Sequence, residues 1–257
     1  MLNLSIPKHS YFYGFATADG NCYRKKNQEK GKFSIEISSR DKDILYKFQD
    51  LYSEYSSISH RTRNTDFKNS SKFSKISVYN LSFRNKLKSY GFMEGYKSDD
   101  ANIPNMSFSE IDFIRGLLDG DGSVGFTSNN IPFVSLTTKS EKLKEFYLAF
   151  LNKYIGISKI CNRNERDNIY NIMVMRDKAV ELYILLYYNG CLCLSRKNIT
   201  EIGLWKNPHG YKKVQHWSDY EINYILTNSL KESMLKLNRT EKSIRTKLAR
   251  LRKIKSN

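Results

Sequence analysis

The strongest constraint on what this chain can fold into is an internal repetition. "FYGFATADG" at 12–20 and "IRGLLDGDG" at 114–122 each run an apolar stretch into Asp-Gly. Setting Gly14 on Gly116 places Asp19 on Asp121 and Gly20 on Gly122, all at an offset of 102. Further on, "IEISSRDKDILYKF" (35–48) parallels "VSLTTKSEKLKEFY" (134–147) at an offset of 99, so that Ile37 meets Leu136 and Arg40 meets Lys139. Tyr90-Gly91 and Asn189-Gly190 keep that second offset. The three-residue difference falls between 20 and 35, where the first copy has "NQEKGK" and the second only "SNN". A turn tolerates such a change of length. A repeat of this period demands two similar structural units.

Each copy reads in the same order. A helix ending in Asp-Gly is followed by two strands and a helix (41–54; 140–154). Two more strands come next (about 57–64 and 73–80; 157–163 and 168–176), then a closing helix (81–90; 177–189). In "KFSIEIS", Phe33, Ile35 and Ile37 alternate with Lys32, Ser34, Glu36 and Ser38. Each sheet is therefore expected to have an apolar face for helices and a polar, basic face left open. The expected class is therefore α+β, with two pseudo-symmetric αββαββα repeats and a small all-α tail. The expected spans are 1–97 for the first repeat, 98–107 for a polar linker containing Pro104, 108–205 for the second repeat and 206–257 for a connector and tail.

Charge narrows the partner. The chain has 43 Lys+Arg against 26 Asp+Glu, a formal net charge of +17. A solvated surface needs no such excess, whereas a polyanion does, because each neutralised phosphate releases condensed counterions. No apolar run is long enough for a signal peptide or a membrane span. Cys22, Cys161, Cys191 and Cys193 form no CxxC pair, and only four histidines accompany them. This argues against a zinc site and a disulfide framework, and for reduced thiols in an intracellular protein. No glycine-rich phosphate loop occurs.

The repeated acids are the candidate site. Ser107 and Glu110 have capping-box spacing, with Met106 and Ile111 placed as a staple, and Gly122 reads as a left-handed cap closing the second motif helix. Aspartates at a helix C-terminus oppose its dipole, and a local rule broken twice at equivalent positions marks a site. Gly14 and Gly116 lie mid-helix, where glycine costs ~1 kcal/mol against alanine. Ala18 and Gly120 follow four residues later, so two small-residue stripes let the helices pack backbone to backbone. That packing delivers Asp19 and Asp121 side by side. Adjacent carboxylates repel unless a cation joins them, and a hard divalent ion with oxygen ligands is the natural one. Two carboxylates and such an ion can hydrolyse a phosphodiester.

Two xDG motifs with this downstream pattern resemble a single-chain LAGLIDADG homing endonuclease. The likeness covers about residues 8–205. The second motif matches the name at Gly116, Leu117, Asp119, Asp121 and Gly122, the first at Gly14, Ala18, Asp19 and Gly20. The resemblance implies metal ligation by Asp19 and Asp121 and by the backbone carbonyls of Ala18 and Gly120. It implies Mg²⁺ as cofactor, with Mn²⁺ substituting and Ca²⁺ binding without cleavage. It also implies a monomer whose two sheets form a saddle over double-stranded DNA, and a cut on each strand leaving short 3′ overhangs. A basic residue near each scissile phosphate is implied too. Lys75, Lys97, Arg176 and Arg196 are candidates, and Lys97 with Arg196 are favoured because they share the offset of 99. Thr17 stands where the second motif has Asp119, so the halves are not equivalent. Relatives that bind DNA without cutting, and intron maturases that bind RNA, are the alternative readings.

Basic and amide residues cluster in the hairpins and are expected to meet DNA: Arg24, Lys25, Lys26 and Lys32; Arg40, Arg61, Arg63, Lys68, Lys72 and Lys75; Lys139, Arg163, Asn164 and Arg166. Arginine reads guanine, and lysine mostly holds phosphate. Residues 211–257 hold 12 Lys+Arg and 4 Asp+Glu, a net of 12 − 4 = +8. Within them Ser218 and Glu221 suggest a capping box, with Trp217 stapling Ile222. "TEKSIRTKLARLRKIK" puts Ile244, Leu248 and Leu251 on one helical face, with Lys242 and Arg245 elsewhere. This resembles a Myb/SANT-like helix-turn-helix reading DNA with its last helix. The protein is expected inside the cell with its DNA, in a bacterial or phage-infected cytoplasm or in an organelle. Abundant Asn, Ile, Lys and Tyr hint at an AT-rich genome, and Met1 argues against an intein.

Overall fold

The structure, a computed structural model, describes residues 2–24, 31–52, 56–65, 68–95, 99–206 and 217–255. The chain divides into two compact units, 1–207 and 208–257. In the first, α1 (Pro7–Asp19) leads into β1 (Gly20–Arg24), β2 (Gly31–Ser38), α2 (Asp43–Leu51), β3 (Ser56–Thr65), β4 (Lys68–Val78) and α3 (Leu81–Ser89). The second copy is α4 (Glu110–Asp121), β5 (Gly122–Phe126), β6 (Pro132–Thr138), α5 (Glu141–Ile155), β7 (Tyr170–Met175), α6 (Asp177–Leu186) and the short α7 (Thr200–Leu204). All strand pairs are antiparallel, in the orders β1-β2-β4-β3 and β5-β6-β7.

The alternation in β2 holds: Phe33, Ile35 and Ile37 are buried, and register pairs Ile35 with Ile76 and Phe33 with Val78 on the same face. That face packs on an aromatic cluster in which Phe12 meets Phe48 edge-on at 5.0 Å and Phe33 at 5.7 Å between ring centroids. Its counterpart in the second copy buries Val134, Leu136, Ile172 and Val174. Burying these apolar side chains is the dominant favourable term for such a two-layer unit.

Three local expectations fail. Residues 157–163 are not a strand, so the second sheet has three strands. The Lys159 ammonium donates to the carbonyl of Met173 (2.7 Å) and the Cys161 thiol to that of Asn171 (3.6 Å), taking edge acceptors that a fourth strand's N–H groups would need. Gly122 is not a left-handed cap: its φ and ψ are −105° and 179°, and Gly20 is extended as well. Both glycines open strands directly. They are needed for close approach, since a Cβ on Gly122 would lie 2.6 Å from the Leu118 carbonyl oxygen and 2.7 Å from that of Ser135. Finally, α4 starts at Glu110 with Ser109 as N-cap. The Ser109 hydroxyl donates to Asp112 (2.5 Å), and its N–H donates to the hydroxyl of Ser10 on α1 (3.0 Å).

The second unit, described over 217–255, holds α8 (Asp219–Thr227), α9 (Leu230–Leu237) and α10 (Glu241–Lys255). Ser218 with Glu221, and Ser229 with Glu232, form complete capping boxes. Ile225, Leu237 and Ile244 are its buried centre, with Trp217, Leu248 and Leu251 packed against them. Arg239 stacks 4.4 Å from the Trp217 ring centroid and pairs with Glu221 at 3.0 Å.

Candidate functional site

The site grows out of the contact between α1 and α4. A Cβ on Gly14 would overlap the carbonyl oxygen of Phe113, and a Cβ on Gly116 would overlap that of Tyr11. These contacts are mutual images at the offset of 102. Four residues on, a Cβ on Gly120 would overlap the Cβ of Ala18 and lie 3.3 Å from Asp19 Oδ2. The half-buried Asp19 carboxylate therefore sits at the end of α4, one residue before the exposed Asp121. Ala18 and Gly120 lie in the last helical turns, where carbonyls have no intrahelical donor.

Lys197 was not among the residues singled out in the sequence. It is 1% exposed, and its ammonium donates to the carbonyls of Leu118 (2.6 Å), Asp119 (2.7 Å) and Gly122 (2.8 Å). It thus caps the C-terminal end of α4 on both sides of Gly120. Burial pulls its pKa down to about 8, opposed by the nearby carboxylates of Asp119, Asp19 and Asp41. The offset of 99 points instead to its neighbour Arg196, which reaches across to Asp41 in the first copy (2.9 and 3.0 Å). Nothing in "SRK" tells which of two adjacent cations turns inward.

Asp119 belongs to the framework. Buried at the seam, it accepts from the phenols of Tyr11 (2.8 Å) and Tyr187 (2.7 Å) and from the Leu194 N–H (2.7 Å). Burial raises its pKa against those donors, and burial together with its charge raises the phenols, which stay protonated. Thr17, at the equivalent position, donates to the Tyr13 carbonyl of its own helix (2.9 Å). Below Asp119, the fully buried Arg115 pairs with Asp112 and donates to the carbonyls of Leu186 and Leu192 (2.8 Å each), tying α4 to the chain that leads to Lys197.

The remaining candidates are spread over several surfaces. Register places Lys32, Glu36, Lys75, Arg61 and Arg63 on the open face of the first sheet. There Glu36 gathers Arg61 (2.5 Å), Arg63 (3.6 Å) and Lys75 (3.9 Å). Arg24 has the parity of the buried Cys22 and pairs with Glu94 (3.6 Å), so it leaves that face. Arg40 lies 3.6 Å from Asp41. Arg163 donates to the Lys139 carbonyl and stacks on Tyr170, while Asn164 and Arg166 close their own turn on Asp167. Arg176 starts α6 with φ 61°. Lys242 and Arg245 are on α10, where Arg245 pairs with Glu241 (2.7 Å). Lys25, Lys26 and Lys97 lie outside the described residues, as do the side chain of Lys68 and residues 207–216.

The expectation of a basic open face on each sheet holds for the first sheet and fails for the second, whose strands carry no cation. Strands β1–β4 contain Arg24, Lys32, Arg61, Arg63, Lys68, Lys72 and Lys75 against the single carboxylate of Glu36. Strands β5, β6 and β7 read GSVGF, PFVSLTT and YNIMVM, without one charged side chain.

Paired helices that meet through glycine and end in an acid, each opening a sheet, give the chain two similar repeats. Residues 109–192 match the LAGLIDADG-like domain. Among solved structures, the homing endonuclease I-WcaI bound to its DNA recognition sequence is similar over 77% of this chain and 88% of its own, with 15% identity and a TM-score of 0.54. A variant of I-DmoI in complex with its target DNA and in the presence of manganese aligns at 17% identity over 70% of this chain and 93% of its own, with a TM-score of 0.45. The N-terminal LAGLIDADG domain of DUF199/WhiA aligns at 14% over 74% and 84%, with a TM-score of 0.46. No curated protein matches the sequence. No helix among the described residues is long and apolar enough to cross a membrane.

Proposed function

We propose that the chain is a monomeric, divalent-metal-dependent, site-specific endonuclease of double-stranded DNA. In this reading repeats 1–97 and 108–205, joined by 98–107, each bind one half of an asymmetric target and contribute one acid. The observation that supports it best is the placement of the Asp19 carboxylate against Gly120, the residue that precedes Asp121. Two carboxylates with flanking backbone carbonyls suit Mg²⁺, a hard ion that keeps several waters and takes few protein ligands. When bound, the metal activates water, polarises the phosphate and stabilises the leaving oxygen. Asp19 and Asp121 hold it and offset its charge. Lys197 stabilises the α4 end and contributes positive charge near the scissile phosphate, the role that the repeat offset alone would give to Arg196. The open sheet faces bind DNA, and α10 adds contacts from a helix-turn-helix-like tail. The strands are cut with short 3′ overhangs, and the protein works wherever its target DNA resides in the cell.

The test is cleavage of a plasmid carrying the uninterrupted insertion locus, in Mg²⁺, Mn²⁺, Ca²⁺ or EDTA. Linear product in Mg²⁺ or Mn²⁺ alone, lost in Asp19→Asn and Asp121→Asn while binding in Ca²⁺ persists, is the expected result. Cutting by both single variants at the wild-type rate would sink the two-carboxylate mechanism. Tight binding with no cutting in any metal would leave a DNA-binding regulator.

A further inference from the structure

The open faces of the two sheets are built from different chemistry, although the repeats share one fold. Register assigns Ser123 on β5, Phe133 and Ser135 on β6, and Asn171, Met173 and Met175 on β7 to the open face of the second sheet. Phe133 and Met173 are half-buried, and Met175 is 40% exposed. The Ser135 hydroxyl donates to Asn171 Oδ1 at 2.7 Å, which anchors the exposed Asn171 side chain on that face. No cation stands in these strands. The first sheet presents guanidinium and ammonium groups instead, set around Glu36.

These surfaces suit different base edges. Arginine and lysine recognise the O6 and N7 acceptors of guanine; asparagine recognises adenine; apolar side chains contact the C5-methyl group of thymine. We infer that the half-site under the second sheet is A·T-rich and is read through thymine methyl groups packed on Phe133, Met173 and Met175, with Asn171 facing adenine, while the half-site under the first sheet carries the guanines and most of the salt-dependent affinity. This rests on the proposed reading that the open faces contact DNA. It sets the chemical class of substrate that the two-repeat architecture alone leaves undefined.

The test starts with selection of targets from a randomised duplex pool by the full chain in Ca²⁺, which holds the complex uncut. Arg63→Ala, an exposed change, marks the half-site under the first sheet by shifting base preference there. Thymines of the other half are then replaced by deoxyuridine, which removes only the methyl group. The expected loss is roughly fourfold in affinity per methyl removed, the value of one buried methylene. Met175→Ala should weaken binding to the thymine duplex and add nothing on the deoxyuridine duplex. Sequence-selective binding with a G·C-rich half under the second sheet, or with silent deoxyuridine substitution there, would overturn the inference and leave the DNA-binding function standing. Loss of sequence-selective binding altogether would remove both.

Discussion

Lys197 shows how a single buried charge is tolerated. Its ammonium sits at the negative pole of α4, where carbonyls point outward and a cation is favoured. Burial still costs it, which is why its pKa falls to about 8 from an ordinary 10.5. The sign follows from proton counting. Below about pH 8 it is charged in both states, and the fold bears the full desolvation cost. Between about 8 and 10.5 the folded chain has released a proton that the unfolded chain keeps, so stability rises with pH by up to about 1.4 kcal/mol per unit. In EDTA, urea unfolding of wild type minus Lys197→Met should show that rise, and a flat difference would refute it. Asp119→Ala should cost about 3 kcal/mol, because two phenols and the Leu194 N–H lose a buried acceptor. Neither role was legible in the sequence. Asp119 matched a motif letter, but its partners Tyr187 and Leu194 are distant along the chain, and Lys197 differs from Arg196 only in which way one residue of a turn faces.

Among the elements, the helices and the first sheet were legible because their periods are strong. The glycine argument for α1 and α4 also survives, since it rests on a cost that only close packing can offset. Alanine at Gly14 or Gly116 should therefore destabilise by about 1–3 kcal/mol through overpacking, and should slow cutting further by moving the acids apart. Denaturant midpoints alongside single-turnover cleavage would check both, and an unperturbed Gly14→Ala protein would refute the close seam. The glycines after the acids were misread, since a sequence shows that glycine is needed without showing whether φ or crowding is the reason. Residues 157–163 were misread because side chains at Lys159 and Cys161, rather than backbone, satisfy the edge of β7. On the first sheet, truncating Arg61, Arg63 and Lys75 together should lower the salt slope of binding by up to about 0.9 for each phosphate that is no longer neutralised. Equivalent changes do not exist on the second sheet.

For the whole molecule, both repeats lie in one compact unit, and the tail is a second unit with its own small core. Removing 208–257 should leave the unfolding transition of the first unit in place while weakening DNA binding and flattening its salt dependence. A collapse of that transition would show that the tail is integral. The seam itself has a consequence for symmetry. A two-fold interface between identical halves needs every contact to be returned: if one copy's residue i meets j, the other's i must meet j as well. Here Tyr11 meets Asp119, but the residues one repeat away are Phe113 and Thr17. Two first repeats would set that phenol against a threonine already bonded within its own helix. Two second repeats would set the Asp119 carboxylate against a phenyl ring, leaving it the Tyr187 phenol and the Leu194 N–H of its own repeat but no donor from across the seam. Each half thus loses the cross-seam hydrogen bond when paired with itself and keeps it when paired with the other, so a homodimer of either half should be weaker than the two-repeat pairing unless residues 11, 17, 113 and 119 are rebuilt as a set.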